Sequence, residues 1–323
     1  MKAIVYENYG SPEVLNLVEM EKPVPKDNEV LVAIKASTAT APDAQMRKGT
    51  PYIGRLYTGI NGPKRKIPGY EFAGEVVAIG KNVKQFKTGD LVFGGSTTLG
   101  CYAEYKCIAE DDLILKIPAK LSFEDVVPLS NSAVTALNFL KIAKIKTGQK
   151  ILIIGASGAV GSYAVQIANN YGADVTAVCS TQNVSWVKSL GVNKVIDYKQ
   201  GPIQQQVYKQ KFDIVFDAVG KYSFSTSKNM LSENGCFLTV NLSFALLGNM
   251  IWTSIFSKKK VIFTATGAAS VANKIQLLKE VLLMAENGNL KSMIDKGYSI
   301  QQCIEAHKYV DTGRKSGNVV ITI

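Results

Sequence analysis

The sequence predicts an α/β chain of two domains, a largely antiparallel, barrel-like unit followed by a doubly wound parallel sheet. Three observations carry this expectation. The 323 residues are roughly twice an ordinary domain length. Short β-rich runs punctuated by Gly, Pro, Asn and Asp fill residues 2–117. From Ser122 onward, compact apolar strands alternate with helical patterns.

In the first part the strand-like runs are 30–34, 75–79, 90–93, 101–108 and 113–117. In the second they are 151–154, 175–178, 195–198, 212–219, 236–240 and 261–266. Strand, crossover and strand at this interval give a parallel sheet with helices on both faces. The last piece shows a helical pattern through Ile275, Leu278, Val281, Leu282 and Ala285, then a strand at 319–323. That terminal strand is expected to return to the first unit and make it discontinuous. The expected domains are therefore 1–121 with 268–323, and 122–267.

Composition narrows the function classes. With 46% apolar, 20% charged and 9% aromatic residues, the chain can bury a sizeable core and is neither disordered nor fibrous. The net charge of +11 suits anionic ligands. A single His, His307, and five scattered Cys without a C-x-x-C leave almost nothing for a multi-ligand zinc site or a His-based triad. An odd number of irregularly spaced Cys reads as reduced thiols, and no secretory signal is visible at the amino terminus, so a cytoplasmic location is expected.

Two charge-free stretches, 151–173 and 234–257, are long enough to weigh as membrane spans, but Gly and Asn interrupt both, and no span is expected. In the second, Met250, Ile251, Trp252, Ile255 and Phe256 precede Lys258-Lys259-Lys260. Buried core is the expectation there, with a pocket or subunit contact as the alternative.

The sharpest local signal is I-L-I-I-G-A-S-G-A-V-G over 151–161. Four apolar residues read as a buried strand, and Val160, Ala164, Ile167 and Ala168 continue at helical spacing. The turn between them has the frame Ala156-x-Gly158-x-x-Gly161 of a dinucleotide fingerprint, with Ala replacing the first Gly. Small residues leave the backbone open to a pyrophosphate, and the first amides of the helix offer an anion site without a charged side chain. Ala156, Ser157, Gly158, Ala159, Val160 and Gly161 are therefore candidate cofactor contacts. A purely structural glycine turn is the competing reading.

About twenty positions on, an acid bonding the ribose hydroxyl would mark NAD. The sequence there is A-V-C-S-T-Q-N over 177–183, with no acid. Hydroxyl and amide groups at Ser180, Thr181 and Asn183, with Lys188 a turn later, favour NADP(H) as cofactor. The same residues also suit a helix cap.

Together these segments resemble the medium-chain dehydrogenase/reductase superfamily, in its zinc-free quinone oxidoreductase branch. The resemblance covers nearly the whole chain. It rests on the opening M-K-A-I-V, P-G-Y-E-F-A-G-E-V at 68–76, the A-V-T-A-L segment around Thr135, the glycine turn, L-G-V-N-K-V-I-D-Y at 190–198, F-D-I-V-F-D-A-V-G at 212–220 and the closing G-N-V-V-I-T-I. It implies a GroES-like barrel built from the two chain ends, an inserted Rossmann domain and an active site between them. Where zinc-dependent members carry His in G-H-E, this chain has Tyr70, and the family's early Cys ligand falls near Thr40.

Without a Lewis acid or an evident base, conjugated carbonyls are easier acceptors than alcohols, because the charge left by hydride addition spreads to an oxygen that a few donors can stabilise. The expected activity is NADPH-dependent reduction of a quinone or α,β-unsaturated carbonyl. The resemblance further implies a pocket of Thr40 and Asp43 at the former metal corner, Tyr52 and Tyr57 on the next loop, Tyr70, and Thr135 at the nicotinamide or its ribose. Tyr52 is the choice for orienting or protonating the substrate oxygen, since a phenol is a neutral hydrogen-bond donor, with an ordinary loop tyrosine as the equal alternative. Asp43 has a structural alternative. Tyr198, Val219, Gly220, Asn241 and Ser243 are implied cofactor contacts, with core or turn duty as the rival reading, and Lys315 is a candidate for the cofactor phosphates against the commoner role of a solvated surface residue. Relatives are often dimeric, so a homodimer is expected. An enoyl-thioester reductase and a non-catalytic nucleotide-binding sensor are the alternatives. Nucleic-acid binding is disfavoured, because the basic residues are spread and no aromatic-interleaved stripe appears.

Overall fold

A computed structural model describes every residue except Ala265, Gly267 and Ala268, and leaves the side chains of Ile53 and Tyr57 undescribed. The chain divides into two compact units, Met1–Asn131 with Ser270–Glu286 and Ser292–Ile323, and Ser132–Ala269 with Asn287–Lys291. The division falls after Asn131 rather than after Leu121. Ser130 explains the difference, since its hydroxyl donates to Gly94 O at 2.9 Å and Glu71 Oε1 at 3.1 Å and so ties 122–131 to the first unit. The boundary expected between 267 and 268 lies outside the described residues.

The amino-terminal part of the first unit contains strands β1 (Lys2–Val5), β2 (Asn16–Glu19), β3 (Glu29–Thr38), β4 (Glu71–Ile79), β5 (Leu91–Gly95), β6 (Tyr105–Ala109) and β7 (Leu113–Lys116). Its helices are α1 (Ala41–Lys48), α2 (Arg55–Thr58) and α3 (Phe123–Val126). The second unit runs through α4 (Ser132–Ile142), β8 (Lys150–Ile154), α5 (Ala159–Asn170), β9 (Asp174–Cys179), α6 (Val184–Ser189), β10 (Lys194–Asp197) and α7 (Ile203–Gln206). It continues with β11 (Phe212–Asp217), α8 (Phe224–Ser227), β12 (Leu231–Thr239), α9 (Phe244–Phe256) and β13 (Lys260–Ile262). The chain closes with α10 (Val271–Glu286), β14 (Ile294–Ser299), α11 (Cys303–Asp311) and β15 (Asn318–Thr322) in the first unit.

In the first unit the main sheet runs β14-β15-β3-β4-β5-β7, with β6 also on β3, and β1 pairs with β2. Strand β3 is paired with β4, β6 and β15 along its length, so its ten residues are almost continuously buried. Val30, Val32, Ile34, Phe72, Val76, Val92 and Ile108 form the core beneath it. The carboxyl-terminal strand returns here, with Ile321 opposite Ser37 in antiparallel register.

The second unit is a six-stranded parallel sheet in the order β10-β9-β8-β11-β12-β13. The order reverses direction beside β8, between β9 and β11, and the crevice outside a strand end at such a switch point is where ligands enter open α/β sheets. Ile151, Leu152, Ile153 and Ile154 are all buried, because helices cover both faces of a parallel sheet.

Several strand ends differ from the sequence expectation, each for a local reason. The run from 101 becomes a strand only at Tyr105, because the amides of Cys101 and Tyr102 bond to Gly69 O and Pro68 O instead. The run to 219 ends at Asp217, whose carboxylate turns the chain away from the ladder. The run 261–266 ends as a strand at Ile262, and Ala265 lies outside the described residues. The expectation of buried core at 250–256 is overturned. In α9 only Leu246 and Thr253 are buried, whereas Phe244 (86%), Ile251 (66%), Trp252 (53%), Ile255 (67%) and Phe256 (71%) are exposed. The helix packs one stripe on the sheet, and its opposite face is apolar as well. No described helix is long and apolar enough to cross a membrane.

Candidate active site

The glycine turn is shaped by two close approaches and one open space. Gly155 has φ +78°, and a Cβ there would lie 2.2 Å from Val219 Cγ2. At Gly161 a Cβ would lie 2.1 Å from Gly155 O, which fixes how tightly α5 docks on β8. Gly158 is different: a Cβ would meet nothing nearer than Gly155 O at 3.4 Å, so the space in front of it is open. Gly158 is also the cap residue of α5, with no side chain bonded to the helix's first amides. A twelve-residue helix thus presents bare N–H groups beside a side-chain-free space, the arrangement that takes a phosphate. Ala156, Ser157, Ala159 and Val160 complete this cradle. The residues present fit a dinucleotide.

The neighbouring strand ends converge on the same edge. The Asp217 carboxylate accepts from the amides of Val219 and Gly220 at 3.0 Å and of Tyr222 at 2.6 Å. Burial pushes its carboxyl above the usual range, and the backbone donors oppose that. This turn places Val219 over Gly155, while Asn241 Nδ2 donates to Gly220 O at 3.2 Å. Ser243 is occupied as the cap of α9, accepting from Leu246 N at 3.1 Å. At the end of β9, Asn183 donates to Ser180 Oγ at 3.3 Å, and Thr181 donates to Asp197 Oδ2 at 2.7 Å. Asp197 and Asp217 were not singled out by sequence reasoning. The signal for Asp217 was present, an acid closing an apolar strand just before Ala-Val-Gly. Asp197 belongs to the next strand, which only the sheet brings beside Thr181. The Thr181 hydroxyl and neighbouring backbone hold its carboxyl below the usual range. Tyr198 follows it, half-exposed, with the Lys199 ammonium 5.6 Å from its ring.

In the first unit, Thr40 and Asp43 meet each other. Thr40 caps α1, accepting from Asp43 N at 3.2 Å, while Asp43 Oδ2 accepts from Thr40 N at 3.0 Å and from its hydroxyl. Both are buried, and burial pushes the Asp43 carboxyl up to about 6. No described hydrogen bond joins either to Tyr52, which stands 74% exposed on the following loop with Arg55 stacked 4.7 Å from its ring. The Tyr57 side chain lies outside the described residues. Thr135 is half-buried on α4 in the second unit. Lys315 is half-buried, with its ammonium on Gly317 O at 2.8 Å, and burial lowers its pKa to about 8 against the pull of Asp295 and Glu71.

Beside the Thr40 corner, Tyr70 is half-buried and Glu71 accepts from the hydroxyls of Thr38 and Ser130. Burial pushes the Glu71 carboxyl up to about 8. A zinc ion needs three protein ligands of the Cys, His or carboxylate kind. Thr40 and Tyr70 do not supply them. His307 sits instead buried on α11, 5.7 Å edge-on from the Tyr102 ring. Among the described residues no group of three or more metal-ligating side chains converges. The donor set does not fit a zinc.

Two family models match the chain, an alcohol dehydrogenase GroES-like domain over residues 26–119 and a zinc-binding dehydrogenase over residues 190–321. The chain is 33% identical to a 2-methylene-furan-3-one reductase of Solanum lycopersicum, over 99% of this chain and 79% of that protein. It is 31% identical to an NADPH-dependent alkenal/one oxidoreductase of Arabidopsis thaliana, with the same two coverages. The quinone oxidoreductase of Coxiella burnetii superposes with a TM-score of 0.88 at 28% identity, covering 100% of this chain and 99% of that one. A dinucleotide-binding parallel sheet, a GroES-like sheet and full-length relatives of this kind place the chain in the medium-chain dehydrogenase/reductase superfamily, in its quinone oxidoreductase branch, as an oxidoreductase that uses a nicotinamide cofactor.

Proposed function

We propose that the protein reduces a quinone or an α,β-unsaturated carbonyl with NADPH and without zinc. The observation that carries this reading is the open space at Gly158 before the bare amides of α5, in a chain whose metal corner holds Thr40 and Tyr70. The bound cofactor supplies a hydride. Ala156, Ser157, Gly158, Ala159, Val160 and Gly161 hold its pyrophosphate through backbone N–H groups, and Val219, Gly220, Asn241, Ser243 and Tyr198 bound its adenosine and nicotinamide ends. Thr135 bonds the nicotinamide or its ribose. The Tyr52 phenol donates to the acceptor oxygen where charge gathers. Thr40 and Asp43 support this corner by fixing the start of α1.

NADP(H) is favoured over NAD(H) because 177–183, at the end of β9, carries no acid and offers Ser180 and Asn183 to a 2′-phosphate. The Asp197 carboxylate nearby tempers the preference. A homodimer is proposed on two features of the second unit. Strand β13 is the outer strand of its sheet, and the outward face of α9 is apolar, and such a face left in water marks an interaction surface. The five free cysteines suit a reducing compartment, taken as the cytoplasm.

Consumption of NADPH with a panel of simple quinones, enones and an enoyl thioester tests the activity. Turnover of quinones or enones is expected. Turnover of the thioester alone would move the reading to an enoyl-thioester reductase, and cofactor binding without any turnover would make the protein a sensor.

A further inference from the structure

The first residue of α2 is a cation in an unusual setting. The Arg55 guanidinium lies between two aromatic rings, 4.6 Å from the Tyr9 centroid and 4.7 Å from that of Tyr52. Its Nε donates to Gly49 O at 3.0 Å. Tyr9 is itself fixed, since its hydroxyl donates to Gly59 O at 2.7 Å and lies 2.8 Å from Thr58 Oγ1. Stacking and the Nε bond hold the guanidinium plane, yet the two terminal nitrogens have no hydrogen-bond or ion-pair partner among the described residues. A fixed, planar pair of N–H donors is what bidentate recognition of an oxyanion requires.

The surroundings reinforce the charge. From 44 to 70 the chain contains no Asp or Glu. Of the six basic residues there, Arg47 and Lys48 are paired with Asp311. Lys64, Arg65 and Lys66 are exposed and form no described ion pair, and Lys64 N bonds to Thr58 O at 2.7 Å, which draws that triplet back toward α2. Glu7 flanks this loop through its backbone and makes no ion pair with it. A cation so placed, with no acid to neutralise it, has an anionic ligand as its natural complement.

We propose that Arg55, clamped between Tyr9 and Tyr52, binds a carboxylate, sulfonate or phosphate group carried by the electron acceptor. This rests on the reading of Tyr52 as the residue that orients the acceptor oxygen, and it makes Arg55 the specificity-determining neighbour. Flat, cationic and stacked on the same ring, Arg55 selects acceptors in which an anionic group lies close to the conjugated carbonyl.

The test compares 1,2-naphthoquinone with its 4-sulfonate, using full-length protein and NADPH. Arg55→Gln is expected to lower kcat/KM for the sulfonate at least tenfold, through KM, and to change the neutral quinone and the KM for NADPH less than twofold. Arg55→Lys keeps the charge but loses the fork and the stacking, and is expected to recover only part of the difference. Equal losses for both quinones would make Arg55 a loop support. A loss confined to NADPH would assign the fork to the cofactor. Either result overturns the proposal. A turnover-independent arm measures calorimetric binding of 2-naphthalenesulfonate to both proteins. Binding to wild type that is lost in Arg55→Gln, with an unchanged melting temperature, supports the site even if no quinone is reduced, whereas absent or equal binding sinks it.

Discussion

His307 shows how far a residue's role depends on its neighbours. It is fully buried, neither ring nitrogen has a hydrogen-bond partner, and burial together with the Arg47 guanidinium lowers its pKa from 6.5 to about 3, with Asp311 opposing and Lys48 adding to the effect. The folded state therefore binds fewer protons than the unfolded state between pH 3 and 6.5. The stability contributed is full above pH 6.5 and is lost as pH falls toward 3. At 1.36 kcal/mol per unit the loss approaches roughly 4 to 5 kcal/mol. Asp43 works in the opposite sense, since its folded carboxyl is raised to about 6 and gains protons on folding below that pH. Thermal melts of wild type and His307→Leu from pH 7 to 4 separate the two: the wild type is expected to lose more than the variant. Parallel curves would show that His307 does not titrate in this way.

The glycines give a second prediction at this scale. Gly161→Ala forces a Cβ to within 2.1 Å of a carbonyl oxygen, and a loss of at least about 2 kcal/mol is expected, read by denaturant unfolding. Gly158→Ala meets open space, so the fold should survive while NADPH affinity, read by fluorescence titration, falls about tenfold as a methyl enters the pyrophosphate space. If Ser180 faces a 2′-phosphate as proposed, Ser180→Asp is expected to weaken NADPH binding far more than NADH binding, whereas equal losses would contradict the proposed NADP(H) preference.

Among elements, β15 carries more than its five residues suggest. Val319, Val320 and Ile321 are buried, and each such side chain contributes about 1.5 to 3 kcal/mol. The strand also covers β3 and pairs with β14. Truncation after Gly317 is therefore expected to cost about 4.5 to 9 kcal/mol by this reckoning and to leave the chain insoluble, checked by expression and sedimentation. The start of α1 is a smaller case: Thr40→Ala removes one half of a capping box, with an expected cost of about 1 to 2 kcal/mol in chemical denaturation.

For the whole molecule, the proposed homodimer makes the outward face of α9 the surface to test. Ile251→Glu with Ile255→Glu places two charges on a face that is already exposed in one chain, so the fold should stand. If two chains associate through it, sedimentation should shift from dimer to monomer, and an unchanged dimer would remove α9 from the interface. Sequence periodicity does not distinguish this arrangement from buried core, because it reports which residues are apolar and not whether a second surface covers them.

What the sequence determined by itself is local: strand–turn–helix at 151–161, where the spacing of small residues is the physical requirement for a phosphate, and the alternation that makes a parallel sheet. What the tertiary structure decided is convergence. Asp217 turns Val219 over Gly155, Asp197 reaches Thr181 from a neighbouring strand, Thr40 and Asp43 Oδ2 close a helix cap, and Arg55 finds Tyr9 across more than forty residues. Contacts so distant along the chain leave no periodic trace, since they arise from where strands and loops are packed and not from the order of residues within them.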